Sequence, residues 1–456
     1  MSFAFYDFET TGTSPAFDQP TQFAAILTND DLEPLKRIDV RCRLSPHILP
    51  APWALAVTGV TPDILTNPNL PTWFEFVQTL SALINQWGPA TWTGYNNITF
   101  DEEVLRQSLY QNLHPSSYLT QMGGNDRLDV MKLVYATWNL EPDALVWPTD
   151  DSGRQSFKLD QMAPANGFAH HDAHNALGDV EATIYIASLI RDRAPDVWEQ
   201  SLRNRSKQKV SELLQSGHPL RLIERFGATP PRSYIGAYAG SSTSNPNSVG
   251  FLDLDQVDPS ELLLADDDVI VKAVDRTPKL VRTVAVNKVP NLFEMDQIDP
   301  VITNRAMRLA EMTDLRERIG NAIAARFANR EAPVHVEEQI YAEFYSSTDQ
   351  RLLKHFQTTS WEERVDVLTR LNDQRARQLG RRLIFLNRPD LLDAAMVKSM
   401  AVAIRDRWET LDDVPWTTFS EVEKQLFEIE EAGAMTTEEV GRLRAYFDNL
   451  REGRRN

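Results

Sequence analysis

The sequence predicts an α/β domain with a mixed sheet, followed by a β-rich domain and an all-helical C-terminal domain. Strand-like and helix-like segments alternate over residues 1–194, which is typical of α/β proteins. After a stretch rich in Gly, Ser, Pro and Asn, short strand-like runs follow, and apolar residues recur at helical spacing beyond about residue 300. We therefore expect domains over residues 1–194, 195–347 and 348–456.

The individual elements follow from apolar periodicity and from capping signals. Thr72-x-x-Glu75, Ser360-x-x-Glu363 and Thr436-x-x-Glu439 read as capping boxes that begin helices. Further helices are expected near Asp101 and over residues 175–192. Alternating apolar residues predict strands over residues 3–9, 22–28, 37–44, 91–95, 249–254, 268–273 and 280–286.

Composition limits the class of protein. A chain of 456 residues and 51.8 kDa is too long for one compact core. Its only cysteine, Cys42, excludes an internal disulfide and any Cys-built zinc or iron–sulfur site, and lies in an alternating strand-like run. We find no signal peptide and no apolar run of membrane-spanning length, so we expect a cytoplasmic protein with no membrane partner.

The formal net charge of −18 argues against a non-specific DNA-coating protein. A nucleic-acid enzyme remains compatible with that charge if basic residues are concentrated along one path. Basic residues do cluster over residues 200–232 and 375–382. Solvated helix faces are the alternative explanation for both clusters.

The opening segment, Phe3 to Glu9, reads as an apolar strand that carries two acids. Side chains alternate across a strand, so Asp7 and Glu9 share one face with Phe3 and Phe5. Paired carboxylates on an apolar strand need a cationic partner, and Mg²⁺ prefers carboxylate oxygens. A strand end with two solvated acids is an equally simple explanation for an isolated pair.

Further candidates favour a metal site. Asp101 follows a polar loop at a predicted helix start, and His174 and Asp179 flank the start of the helix over residues 175–192. Two Mg²⁺ ions among four carboxylates would serve an in-line phosphoryl displacement, with Asp7 and Asp179 as main ligands and Glu9 and Asp101 supporting. A nearby histidine could deprotonate the attacking water. The sequence therefore predicts phosphodiester hydrolysis.

Three motifs carry a family resemblance. Asp7-x-Glu9 with Thr-Thr-Gly, Asn96 to Asp101, and His174-x4-Asp179 resemble the motifs of the DnaQ-like 3′→5′ exonucleases. Asn175 stands where the sister subtype has tyrosine, so the chain resembles the histidine (DEDDh) subtype. A zinc site at His170, His171 and His174 is disfavoured, because no second ligand cluster accompanies them.

Other stretches are similar to the exonuclease I family of bacterial single-strand-specific exodeoxyribonucleases, over nearly the whole chain. They are residues 18–26, 54–62, 94–103, 156–159, 165–167, 339–345 and 375–382. The resemblance implies an RNase H-like nuclease domain, an SH3-like domain and a helical domain. These three domains would be arranged in the shape of a C that closes over the DNA strand. It also implies processive release of 5′-mononucleotides with two Mg²⁺ ions, for which Mn²⁺ could substitute.

The resemblance extends to partners and to the pathway. It implies docking to the acidic C-terminal tail of single-stranded DNA-binding protein and a role in DNA repair and recombination. We expect a monomer. The 238–250 loop looks shorter than in better-known relatives, which weakens the expectation that this loop contacts DNA.

The resemblance assigns roles to individual residues. The catalytic set transfers without substitution as Asp7, Glu9, Asp101, His174 and Asp179, and Glu9 is expected to meet the 3′-terminal nucleotide as well. Lys158 stands where relatives carry arginine, which keeps the charge but loses the bidentate fork. The remaining expected strand contacts are Arg106, Lys132 and Lys207.

Two competing functions stay open. The first is an RNA-trimming exoribonuclease with the same catalytic set, which the two additional domains disfavour. The second is a non-catalytic single-strand-binding scaffold, which the intact catalytic set disfavours. The aromatic residues Tyr95, Phe100, Tyr118 and Trp138 could stack on bases, although core positions are the favoured interpretation.

Overall fold

The computed structural model describes residues 2–168, 175–326 and 331–453. The strands of its first sheet are β1 (Phe3–Thr10), β2 (Pro20–Thr28), β3 (Pro34–Arg41), β4 (Thr91–Thr93) and β5 (Asp126–Arg127). They lie in the order β3-β2-β1-β4-β5. β1 pairs antiparallel with β2 and parallel with β4, which confirms the predicted mixed sheet.

The helices up to residue 215 are α1 (Pro52–Thr58), α2 (Pro62–Leu65), α3 (Trp73–Trp87), α4 (Asp101–Gln111), α5 (Val130–Leu140), α6 (Leu159–Ala165), α7 (Ala176–Arg193), α8 (Pro195–Arg203) and α9 (Lys207–Gln215). Of these, α3 and α4 cover one face of the sheet, and α5, α7 and α8 cover the other. On β1, Phe3 and Phe5 pack into the core on the side of α7, whereas Tyr6 and Phe8 pack on the side of α3. This alternation confirms that the two phenylalanines share the face of the acids.

The middle of the chain forms a second sheet from β6 (Leu220–Glu224), β7 (Arg232–Ser241), β8 (Ser248–Asp253), β9 (Val281–Ala285) and β10 (Leu292–Phe293). This sheet is antiparallel throughout and has the order β10-β6-β7-β8-β9. The accompanying helices are α10 (Pro259–Leu263), α11 (Asp267–Asp275), α12 (Pro300–Glu311) and α13 (Thr313–Ala325). The middle of the chain therefore contains a five-stranded sheet accompanied by helices, and its β-rich, SH3-like character stays a prediction.

The predicted strand over residues 268–273 is wrong, because this segment lies within α11. Ile270, Ala273 and Val274 are buried at helical spacing, whereas Val269 and Val271 are 43% and 42% exposed. The run of β-branched residues suggested a strand. The segment is helical because one helical face of it packs into the apolar cluster of the middle of the chain, and this packing outweighs the local preference for a strand.

The described residues 331–453 contain helices and no strand. They are α14 (Ser347–Thr358), α15 (Trp361–Arg370), α16 (Gln374–Asn387), α17 (Ala394–Glu409), α18 (Phe419–Ala432) and α19 (Thr437–Gly453). Short 3₁₀ turns occupy Leu119–Gln121, Pro142–Ala144, Val336–Tyr341 and Pro389–Leu391. All three predicted caps are confirmed at their helix starts, since Thr72, Ser360 and Thr436 each accept a hydrogen bond from the backbone N–H three residues on. The reciprocal bond that completes a capping box forms at Thr72 and Thr436, whereas Ser360 caps its helix by the first bond alone.

Apolar packing crosses both predicted domain limits. Trp198 of α8 contacts Phe3, with ring centroids 5.6 Å apart, so α8 belongs to the core of the first sheet. Val336 packs with Tyr110 and Leu353, which joins the segment before α14 to the helical region. The limits at residues 194 and 347 stay predictions. Within the described ranges, every helix is too short or too polar to span a bilayer.

Candidate active site

Three acids converge at one end of the first sheet. Carboxylate oxygens of Asp7, Glu9 and Asp179 lie within 4.8 Å of one another. The first two share a face of β1, and Asp179 lies in the first turn of α7. The Asn175 side chain caps this helix by accepting a hydrogen bond from the Leu177 backbone N–H at 3.2 Å, which fixes the turn that carries Asp179.

Asp101 lies beside β1, at the start of α4. Its Oδ1 accepts a hydrogen bond from the Phe8 backbone N–H at 3.0 Å. The chain reaches this point through a tight turn at Gly94, where a Cβ would lie 2.5 Å from the Tyr6 carbonyl oxygen, and at Asn96, with φ of 62°. The backbone between β4 and α4 therefore sets where Asp101 lies.

The acids repel one another in this arrangement. Burial, followed by the charges of Asp101, Asp179 and Glu9, raises the pKa of Asp7 well above its usual value. Burial, then Asp179 and Asp101, raises the pKa of Glu9 to about 8, and Arg41 opposes that shift. Burial dominates again at Asp101, whose pKa rises to about 7 although the Phe8 N–H favours the charged form.

The donor set fits a divalent metal ion. Hard divalent cations take carboxylate oxygens, and three such oxygens gather here. The mutual repulsion that raises the carboxyl pKa values would be relieved by bound positive charge. Asp7, Glu9 and Asp179 would hold the metal, and Asp101 lies close enough to Asp7 to influence its charge.

The predicted histidines lie outside the described residues. His174, and with it His170 and His171, falls within residues 169–174. The structure therefore brings together the four predicted acids, and the role of His174 stays a prediction.

Two of the residues that are predicted to contact the DNA strand bond to other groups of the protein instead. The buried guanidinium of Arg106 pairs with Glu102 at 3.0 Å and Glu103 at 3.3 Å. The Lys132 Nζ donates to the carbonyl oxygens of Lys288 at 2.6 Å and Val289 at 3.1 Å. In this conformation both cations tie parts of the chain together.

The other two predicted contacts are exposed. Lys158 stands immediately before α6, and Lys207 begins α9 at the edge of a cleft. The basic run over residues 375–382 is partly structural, because Arg375 pairs with Asp373 at 2.6 Å and Arg382 pairs with Glu337 at 2.7 Å.

The four aromatic candidates divide between core and cleft. Trp138 packs edge-on against Phe157, and the hydroxyl of Tyr95 donates to the Phe157 carbonyl oxygen at 2.5 Å. Phe100 packs against the apolar cluster on the α3 side. Tyr118 differs, because it lines the cleft beside Lys207.

Two residues near the site were not predicted from the sequence. Asp129 is buried and accepts hydrogen bonds from the backbone N–H groups of Asn96 at 3.1 Å and Met131 at 3.0 Å, which holds the loop before Asp101. An acid directly before an apolar helix is a capping signal that could have identified it. Arg41 lies across the sheet from Glu9, with Gln22 between them in register.

The comparisons with known proteins agree with this geometry. A family model described as exonuclease matches residues 4–187. Exodeoxyribonuclease I of Haemophilus influenzae is 31% identical over 383 residues, which cover 76% of this chain and 78% of the relative. The fold and the acidic site thus define an exonuclease domain at the head of the chain.

Solved structures extend the similarity to the whole chain. E. coli exonuclease I in complex with a dT13 oligonucleotide matches with a TM-score of 0.84 and 27% identity, covering 99% of both chains. A complex of SSB and exonuclease I with the inhibitor CFAM matches with a TM-score of 0.82 and 28% identity, also over 99% of both chains. The chain belongs to the exodeoxyribonuclease I family.

Proposed function

We propose that this chain degrades single-stranded DNA in the 3′→5′ direction and releases 5′-mononucleotides. The observation that carries this proposal is the convergence of Asp7, Glu9 and Asp179 in a member of the exodeoxyribonuclease I family. A related enzyme of similar fold was solved with a dT13 oligonucleotide, which supports single-stranded DNA as the substrate. The two further regions beyond the first sheet offer surfaces that could guide such a strand.

The metal we propose is Mg²⁺, as two ions per site, with Mn²⁺ able to substitute. Asp7 and Asp179 would be the main ligands, and Glu9 and Asp101 the supporting ones. When bound, such ions supply electrostatic stabilisation to the attacking and leaving oxygens of the phosphodiester. The hydrogen bond from Phe8 keeps Asp101 turned toward this group of acids.

We assign proton removal from the attacking water to His174. The residue lies two positions before the first residue of α7, and Asp179 lies on that helix. An imidazole of ordinary pKa is suited to accept a proton near neutral pH. Glu9, besides its metal role, is proposed to contact the 3′-terminal nucleotide.

The strand path we propose includes the cleft beside Lys207. This cleft has a volume of about 480 Å³ and lies where the first sheet, the middle sheet and the segment before α14 meet. Tyr118 and the 83% exposed Phe344 offer rings to bases, with ring centroids 6.3 Å apart. Its basic lining residues are Arg127, Arg205 and Lys207.

We further propose that the chain acts in DNA repair and recombination, as a cytoplasmic monomer that docks the acidic tail of single-stranded DNA-binding protein. A relative of the same fold was solved together with SSB, which supports the partner. The single buried cysteine suits a reducing compartment. The SH3-like and all-helical domains of the family would then form the arms that close over the strand.

The central test is digestion of single-stranded oligomers labelled at the 3′ or the 5′ end, with Mg²⁺ and with EDTA. We expect immediate release of the 3′ label as a mononucleotide, stepwise shortening of the 5′-labelled strand, and no reaction in EDTA. Release of the 5′ label first would contradict the proposed polarity. Matched RNA oligomers should be digested more slowly, and faster RNA digestion would favour the exoribonuclease.

A catalytically inactive variant separates the enzyme from a scaffold. Asp7→Ala removes a carboxylate from the centre of the acidic group, so we expect digestion to be abolished while binding of single-stranded DNA stays measurable. Asp39→Ala, on the neighbouring strand β3, serves as a control for the loss of one acid from the sheet. Unchanged digestion by the Asp7 variant would remove this residue from the mechanism.

A further inference from the structure

A second cavity lies between the first domain and the C-terminal helices. Its volume is about 450 Å³, and none of the four acids of the active site lines it. The first domain contributes Arg43, Trp73 and Asn112, and the helical region contributes Arg382 and Tyr446. A group bound here would contact both parts of the chain.

Three buried polar atoms of this cavity lack a hydrogen-bond partner among the described residues. They are the hydroxyl oxygen of Tyr446, Nε1 of Trp73, a donor on a side chain 4% exposed, and Oδ1 of Asn112, an acceptor on a side chain 1% exposed. A buried polar group without a partner destabilises the folded state. A donor and an acceptor in one cavity are therefore suited to a ligand that offers both complements.

The cavity also carries excess positive charge. Arg382 and Arg407 share a single carboxylate, that of Glu337, at 2.7 and 2.9 Å. The side chain of Arg43 has no ion-pair partner within the described part of the chain. Of the two arginines that line the cavity, Arg43 thus has no counter-charge among the described residues and Arg382 shares its carboxylate with Arg407 outside the cavity, so an anionic group on the ligand would neutralise the surplus.

We propose that this cavity binds a 5′-mononucleotide, with the base edge at Trp73 and Asn112 and the phosphate at Arg43 and Arg382. A base supplies both an acceptor and a donor along one edge, and Phe74 with other apolar residues would enclose its faces. The cavity volume is within the range of small-molecule sites. The identity of the ligand rests on the proposed function, because the proposed hydrolysis releases mononucleotides.

The ligand class follows from the combination of features. A phosphate ion alone would satisfy the arginines but leave Trp73 and Asn112 without partners. A nucleoside alone would satisfy Trp73 and Asn112 but leave the arginines without a counter-charge. Each half of a mononucleotide therefore contributes, and the whole molecule should bind at least tenfold more tightly than either half, equivalent to about 1.4 kcal/mol.

The test is calorimetric titration of the full chain with dTMP, thymidine or inorganic phosphate, in EDTA. We expect dTMP to bind, and to bind at least tenfold more tightly than the other two. Trp73→Phe removes the donor but keeps a ring, and Arg43→Gln removes a cation at a partly exposed position. Each should weaken dTMP binding about tenfold. Trp87→Phe is the matched control, because Trp87 lies on the same helix outside the cavity.

Several outcomes would overturn the inference. They are the absence of dTMP binding, equal binding of phosphate and dTMP, and binding that both variants leave unchanged. Binding lost in Asp7→Asn but retained in Trp73→Phe and Arg43→Gln would place the nucleotide at the active site and reject the cavity, while the proposed exonuclease function would survive. The labelled-strand digestion tests that function separately, so the two failures are distinguishable.

Discussion

At the scale of single residues, the acids of the site are proposed to share bound metal, while their negative charges repel one another. Burial and neighbouring carboxylates raise the pKa of Glu9 to about 8 and that of Asp101 to about 7. In the absence of metal, these side chains are therefore costly to ionise. The site favours either protons or cations, and the solution conditions decide which are bound.

This competition predicts how stability depends on pH without metal. The folded chain binds protons more tightly than the unfolded chain, because the pKa of Glu9 rises from 4.5 to about 8. The stability that Glu9 contributes is fully present below its unfolded pKa of 4.5, and it is lost as the pH rises through the folded pKa of about 8. In EDTA, we expect the melting temperature to fall between pH 5 and pH 8 by a calorimetric or fluorescence scan.

Added Mg²⁺ provides the internal control for this prediction. Bound cations compensate the ionised acids, so the rise in melting temperature on adding Mg²⁺ should be larger at pH 8 than at pH 5. An equal rise at both pH values would contradict the proposed competition. Asp7→Asn should reduce the Mg²⁺ effect at both values, because it removes one of the metal's oxygen ligands.

His174 gives a second pH-dependent prediction, on rate instead of stability. If it accepts the proton from the attacking water, the rate of digestion should fall as pH drops through the titration of an imidazole. His174→Ala should be slower by about 10²–10⁴-fold and should lose that pH dependence. A variant with the wild-type pH profile would exclude His174 as the base. His114, half-buried outside the acidic site, is the matched histidine for a control substitution to alanine.

At the scale of elements, α4 holds Asp101 through a buried ionic network next to it in sequence. Glu102 is fully buried and accepts hydrogen bonds from Tyr6 at 3.1 Å and Thr120 at 2.8 Å. It also pairs with Arg106 at 3.0 Å and Arg127 at 3.2 Å. The network joins β1, β5 and α4, so it fixes the first turn of the helix relative to the sheet.

This network predicts a large difference between neighbouring acids. Glu102→Gln leaves two buried guanidinium groups short of a counter-charge and should lower the free energy of unfolding by about 3 kcal/mol. Glu103→Gln makes the same change in charge, but its partly exposed pair with Arg106 should contribute at most about 1 kcal/mol. Urea unfolding of the two variants measures the difference. Equal midpoints would show that the buried network does not stabilise this region.

The elements also show what local sequence can and cannot predict. Alternation on β1 and the capping residue Thr72 act within a few residues, so they could be predicted from sequence, as the acids on one face were. Whether Arg106 is free to contact DNA depends on its ion pair with Glu102 and on its hydrogen bond with Tyr341 far along the chain. The alternation of apolar and polar residues predicts neither contact. The pairing of Lys132 with the carbonyl oxygens of residues 288 and 289 is equally non-local.

At the scale of the whole molecule, the cleft beside Lys207 joins regions far apart in sequence. Tyr118 comes from the first domain, Asn247 from the loop before β8, and Phe344 from the segment before α14. No single region contains the complete surface, so its existence could not be predicted from any one motif. Its aromatic and basic residues together are suited to a flexible, charged strand.

The exposed ring of Phe344 gives the sharpest test of this cleft. Base stacking contributes about 1–3 kcal/mol, so Phe344→Ala should weaken binding of a fluorescent single-stranded oligomer about tenfold or more. Phe427→Ala is the control, since that ring is 63% exposed on α18 outside the cleft. Fluorescence anisotropy measures the affinity, and the Asp7→Ala background in EDTA prevents digestion during the measurement.

Lys207→Gln should change the salt dependence of binding instead. Because the substitution removes one phosphate contact, we expect the slope of the logarithm of the binding constant against the logarithm of the salt concentration to become shallower by about 0.7. Equal affinities for the two phenylalanine variants, together with an unchanged salt slope, would place the strand elsewhere on the molecule.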